Sequence, residues 1–181
     1  MVLPIVVYGS PVLRADNKEI DAAFSGLEKF VEDMFDTMYA AEGVGLAAPQ
    51  VGRNVRAFVV DVTAWADEEP ELADFRRAFI NPEIYECAEE ESLYNEGCLS
   101  LPGLHEDVSR PVSIRMRYLD EHLQPHDEEF TGRPARVIQH EYDHLEGKVF
   151  TDRLSPLRRT LLKSKLTGFT KGKFKASYRT K

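Results

Sequence analysis

The chain has 181 residues, of which 43% are hydrophobic and 30% charged, with a formal net charge of −8. That length holds one domain with a real core and is short for two, and the composition is that of an ordinary soluble globular protein. No apolar run approaches the roughly 20 residues of a membrane-spanning helix, and Met1–Ser10 has no basic stretch ahead of its apolar residues and carries Pro4, so it does not read as a secretion signal.

Leu27, Phe30, Val31, Met34, Phe35 and Met38 fall on one helical face, which predicts an amphipathic helix over 27–38. Gly43–Gln50 then reads Gly-Val-Gly-Leu-Ala-Ala-Pro-Gln, a span nearly stripped of side chains. Such a span suits close packing under a neighbouring element, or a bare backbone edge that a peptide can join as an added strand. Arg56–Val62 reads as a strand, and the acidic stretch 63–77 around Pro70 as a surface loop. Phe79-Ile80 and Ile84-Tyr85 flank Asn81-Pro82, which predicts two strand pieces near a turn. Val112, Ile114, Met116 and Tyr118 alternate with polar residues, the pattern of a half-buried strand. A second helix is predicted over 132–146, with Thr131 as N-cap, Pro134 in the first turn and Gly147 as its stop. A third covers 157–167, with Leu157, Leu161, Leu162 and Leu166 as an apolar stripe on a basic helix. Strands and helices do not alternate regularly, so the fold class is α+β with antiparallel sheet. All 31 acidic residues lie at or before Asp152, whereas 153–181 holds ten Lys and Arg and no acid. That basic end suits an anionic partner such as nucleic acid, or a solvated or docked tail.

The chemistry is concentrated in His140-Glu141-Tyr142-Asp143-His144. Two histidines four apart on a helix share a face and can hold one metal ion, with Glu141 beside them to handle a proton without ligating. A catalytic metal site usually takes three protein ligands. Metalloproteases built on this helix draw the third from downstream, but no acid follows Asp152 and the place of a third His holds Phe150. The third ligand is therefore sought upstream, among Cys98, His105, His122, His126 and several carboxylates. Cys98 stands out because a thiolate binds zinc or ferrous iron strongly and because Gly97 lets the backbone approach; the three histidines sit in polar, surface-like surroundings. The other cysteine is Cys87, and nothing points to an oxidising compartment, so a reducing cytoplasm with free thiols is expected. Gln50 supplies an uncharged amide suited to a developing oxyanion. A zinc-stabilised RNA-binding module without enzymatic activity is the bland alternative.

Three stretches, Gly43–Gln50, Glu96-Gly97-Cys98-Leu99-Ser100 and Gln139–His144, resemble in order the three motifs of the peptide deformylase family, and Tyr8–Arg14 is similar to its N-terminal segment. The resemblance runs to about residue 167 and looks like the bacterial type with a C-terminal helical extension. It implies antiparallel sheets packed around a central helix that carries the His-Glu-x-x-His motif. It also implies a catalytic domain over 1–167 followed by a basic tail, 168–181. Position by position, it implies Cys98, His140 and His144 as metal ligands and Glu141 as general acid/base. Gln50 and the Leu99 N–H become oxyanion donors, and Gly45 a backbone partner of the substrate. Asp143 orients nearby groups or is a solvated helix charge. The implied substrate is the N-formyl-methionyl end of a new polypeptide, with formate released. The implied metal is ferrous iron, with zinc or nickel as substitutes. Val44 and Val137 are expected to wall the methionine pocket. Arg133 stands where the family more often has a large apolar residue, and is expected to narrow or cap that pocket or swing into solvent. The basic segment 156–181 is expected to dock on the ribosome, so that deleting 168–181 weakens that binding and spares activity on a small peptide.

Overall fold

A computed structural model describes residues 1–181. The first helix, α1 (Leu27–Ala40), buries Leu27, Val31, Met34, Phe35 and Met38, the face anticipated from their spacing. It leads into β1 (Gly45–Ala47), followed by β2 (Ala57–Asp61), β3 (Arg76–Cys87), β4 (Glu91–Cys98), β5 (Leu101–Pro111), β6 (Ser113–Leu119) and β7 (Pro125–Thr131). Two helices close the chain, α2 (Gly132–Leu145) and α3 (Pro156–Thr170). Five strands form one antiparallel sheet in the order β1-β2-β3-β6-β7, and β4 pairs with β5 as a separate antiparallel hairpin.

Strand alternation decides how the layers stack. In β2, Ala57 and Val59 face α1, joining Met34, Phe35 and Leu46 in one apolar cluster. Phe58 and Val60 face the opposite way, joining Phe79, Met116, Ala135 and Ile138 against α2. Both faces of the sheet are thus covered at β2. The hairpin and α3 build a third cluster around Leu101, Leu104, Val108, Phe150, Leu162 and Phe169. Eleven of the fourteen residues of α2 are buried, so this helix sits inside the molecule with protein on nearly every side. Its end is set by Gly147, whose φ of +66° is left-handed backbone that favours glycine.

Several expectations are corrected. Asn81-Pro82 is not a turn between strand pieces: β3 runs through it with a bulge, and Asn81, at φ +48°, exchanges two side-chain hydrogen bonds with the backbone of Ile20. The loop over 63–77 contains two short 3-10 turns, Thr63–Trp65 and Pro70–Leu72, before β3 begins at Arg76. Thr131 precedes α2 in extended conformation, but its side chain makes no capping bond. In α3 only part of the leucine stripe is inside: Leu162 is buried, whereas Leu157 and Leu161 are 72% and 65% exposed. The segment after α3 folds back on the body. Arg179 and Lys181 exchange backbone hydrogen bonds of 2.9 Å with Ile5, and Thr180 forms a parallel bridge with it.

Candidate active site

The turn of α2 that carries the two histidines faces the end of the β4–β5 hairpin. Cys98 Sγ, at the last residue of β4, lies 3.3 Å from His144 Nε2, and ligand atoms of Cys98, His140 and His144 all fall within 4.8 Å of one another. The two imidazoles sit with ring centroids 5.3 Å apart, as the four-residue spacing requires. His140 Nδ1 is hydrogen-bonded to Glu96 Oε2 at 3.0 Å, which leaves its Nε2 for the Cys98 side. One thiol and two imidazoles converging in a buried corner are a donor set that suits iron, zinc or nickel. The remaining histidines lie elsewhere: His122 pairs with Glu28 and His126 with Asp120, both at the surface, and His105 is exposed at the cleft rim.

Around this trio the polar atoms are arranged tightly. Gln50 is buried; its Oε1 accepts from the Ala47 N–H at 2.9 Å, so its Nε2 donates toward Ser100 Oγ at 3.1 Å and Cys98 Sγ at 3.5 Å. Glu141 is buried, and its Oε2 has no hydrogen-bond partner. Burial pushes its carboxyl up to about 7, against the opposing pull of His140 and Arg110. Burial and the neighbouring His140 push His144 down to about 3. Burial would lower His140 too, but Cys98 and Glu96 raise it well above the ordinary imidazole range.

Beneath the histidines lies a buried ionic network. Arg110 of β5, fully buried, donates to both Glu96 oxygens at 2.6 and 2.9 Å and to Asp143 at 2.8 Å. Arg136 donates to Glu96 at 3.1 Å and to the Val108 carbonyl at 2.9 Å, and Arg153 makes two bonds to Asp143 at 2.6 and 2.7 Å. Burial alone would raise both carboxyls, yet the bonds from His140 and Arg110 hold Glu96 well below the usual range, and Arg153 and Arg110 hold Asp143 below it. Asp143 is thus no solvated helix charge. Glu96 opens the Glu96–Ser100 stretch, yet the sequence alone attaches no role to it. Arg110 carries no signal in the sequence that sets it apart.

A cleft of about 380 Å³ opens over these residues, lined by Gly43, Val44, Gly45, Leu99, Val137, His140 and Glu141 among others. Trp65, Tyr94 and Tyr178 also line it, none of them singled out from sequence. Arg133 does not line it. Its guanidinium pairs with Glu68 and Glu69 and lies 5.1 Å from the Trp65 ring centroid, behind the indole that does line the cleft. Tyr178 donates to the Leu99 carbonyl at 2.6 Å, and burial pushes its phenol up to about 12, so it stays a donor.

Comparison with known proteins agrees with this geometry. Residues 2–160 match the family described as polypeptide deformylase. A peptide deformylase from Christiangramia forsetii is 50% identical over 186 residues, covering 99% of this chain and 95% of that protein. Another from Cytophaga hutchinsonii is 50% identical over 181 residues, covering 100% and 97%. Among solved structures, the peptide deformylase of Thermus thermophilus superposes with a TM-score of 0.84 at 42% identity, covering 95% of this chain and 99% of that one. That of Legionella pneumophila gives 0.81 at 36%, covering 94% and 96%. The matches span the fold and every motif around the Cys98–His140–His144 corner, and on them the chain belongs to the polypeptide deformylase family.

Proposed function

We propose that the deformylation reaction of this chain is run by Cys98, His140 and His144 as the ligands of one divalent metal ion and by Glu141 as the proton carrier. The reaction itself is that of the family: a metal-dependent hydrolase that removes the N-formyl group from the N-formyl-methionyl end of a nascent polypeptide and releases formate. The observation that carries the residue assignment is the buried corner in which one thiol and two imidazoles approach within 4.8 Å beside a partnerless carboxylate oxygen. When bound, the ion supplies Lewis-acid chemistry that brings a water molecule to reactivity at neutral pH. Ferrous iron is the metal we assign in the cell, with zinc or nickel as substitutes, because the donor set accepts all three. A reducing cytoplasm fits a catalytic thiol that pairs with no second cysteine.

The chain's own residues provide the rest. Alternate pairing along β1 turns the peptide groups of Gly45 outward: Asp61 N–H bonds the carbonyl of Val44, so Gly45, one residue on, faces away from β2. A substrate strand can therefore add along this free edge, with Val44 and Val137 walling the side-chain pocket. Arg133 shapes that pocket from behind, by fixing Trp65. Glu141 accepts the proton of the attacking water as the C–O bond forms at the formyl carbon. The oxyanion is met by Gln50 Nε2, aimed into the site by the Ala47 bond, and by the Leu99 N–H. Glu141 then delivers its proton to the departing nitrogen, leaving formate and a free amine. A carboxyl tuned near neutrality suits both halves of that task, and a bound cation beside it favours the carboxylate form.

We further infer that the ribosome is engaged through the basic 156–181 segment. Leu157 and Leu161 are exposed on α3 beside Arg159, Lys163 and Lys165 in a region without acidic residues. The direct test of the reaction is formate release from a formyl-methionyl dipeptide by iron-loaded protein kept anaerobic. Formate should appear from that dipeptide, and a blocked, unformylated peptide should stay intact; cleavage of the latter would point to a protease instead.

A further inference from the structure

We infer that Tyr178 is a positioning residue for the reaction: the last four residues act as a strap that holds the Cys98–Ser100 turn in its working geometry. This rests on the assignment of Cys98 as metal ligand and of the Leu99 N–H as oxyanion donor. Cys98 closes β4, and Leu99 and Ser100 lie between β4 and β5, outside either strand, so ladder hydrogen bonds do not fix Leu99. Three separate groups hold it. Tyr8 N–H donates to the Ser100 carbonyl at 2.8 Å, and Gln50 Nε2 donates to Ser100 Oγ at 3.1 Å. The third is Tyr178, whose hydroxyl donates to the Leu99 carbonyl at 2.6 Å. That carbonyl belongs to the same residue as the proposed oxyanion donor, so freeing it lets both flanking peptides of Leu99 turn.

The strap reaches this point from the far end of the chain because it is pinned to the N-terminal segment. The Ile5 N–H donates to the Arg179 carbonyl and the Lys181 N–H to the Ile5 carbonyl, both at 2.9 Å, with Tyr178 just before this bridge. The next residue of that segment, Val6, donates through its N–H to the Gln50 carbonyl at 2.7 Å. One extended N-terminal segment therefore ties together the strap, Gln50 and the Cys98–Ser100 turn. The ring of Tyr178 is half-buried against the α1 core cluster and lines the cleft, so the residue has two separable parts, a wall and a hydroxyl.

Tyr178→Phe keeps the wall and removes the hydroxyl. In metal-loaded full-length protein it should lower kcat by about three- to tenfold, the worth of one hydrogen bond, with KM within about twofold. Loss of metal to a chelator should quicken by a similar factor, because the Cys98 turn is looser. Loading with Co(II) gives an independent reading, the thiolate-to-cobalt absorption, which should be present in the natural protein and altered in the variant. A chain ending at Ser177 should reproduce or exceed the kcat loss. Unchanged kcat and chelator rate in Tyr178→Phe, or a rise in KM alone, would overturn the positioning role. A natural protein without the thiolate-to-cobalt band would instead overturn the assignment of Cys98.

Discussion

A β-carbon built on Gly45 would lie 2.5 Å from Glu141 Oε1, so the absence of a side chain there is a condition for the carboxylate to stand where it does. Gly45→Ala must push Glu141 aside. With Glu141 as the proposed proton carrier, its displacement by about an ångström costs about 10²-fold in rate, so kcat for formate release should fall by about that factor, with metal content unchanged by elemental analysis. At this scale much was legible in the sequence. His140 and His144 declare themselves through a four-residue spacing, and Cys98 through its glycine-led turn. Arg133 was not legible: whether a long cation enters a pocket or lies behind it depends on Glu68 and Glu69, which are distant in sequence and close only in the fold. Glu96 was visible as a letter of a motif, yet its bond to His140 Nδ1 required β4 to be laid against α2.

The pairing of α2 with the β4–β5 hairpin is what brings a third donor atom, from Cys98, to a two-histidine helix. Glu96 joins the two elements by orienting His140 and accepting from Arg110 and Arg136. A carboxylate behind a ligating imidazole typically contributes 10–100-fold to metal affinity. Glu96→Gln should weaken zinc binding by about that factor in a competition with a chromophoric chelator. The hairpin was the element that sequence periodicity missed. The inward positions of β5 are Leu104, Glu106, Val108 and Arg110, so charge stands where the pattern expects apolar residues. In β7 only Phe130 is buried, which hides that strand as well. By contrast α1 and α2 were readable because their buried faces are largely apolar or carry the motif itself. The α3 stripe misled because leucines mark burial only where another element covers them, and nothing in this chain covers Leu157 or Leu161.

Charge is organised across the whole molecule: every acid lies at or before Asp152, while ten Lys and Arg follow it. The basic segment does not behave as one unit. Its final residues bond Ile5 and Leu99, whereas Arg159 and Lys163 stand on an open face of α3. Deleting 168–181 would remove Tyr178 as well as charge, so the cleaner test of ribosome docking reverses Arg159 and Lys163 to Glu. Ribosome affinity at moderate salt should fall and its salt dependence flatten, as phosphate contacts are lost, while dipeptide deformylation stays as it was. Sedimentation with purified ribosomes reads the first and formate release the second; undiminished binding would exclude this face. The composition of the tail announced a basic surface, but a lone tyrosine within it gave no hint of a contact with the Leu99 carbonyl, which exists only because the two chain ends lie side by side.

In the proposed mechanism one carboxylate, Glu141, moves the proton beside a metal held by Cys98, His140 and His144. Glu141→Gln preserves shape and removes that capacity. Measured together, metal stoichiometry and formate release should show about one ion per chain in both proteins and a turnover about 10²- to 10⁴-fold lower in the variant. A variant that keeps the natural rate of formate release with its metal in place would contradict the account.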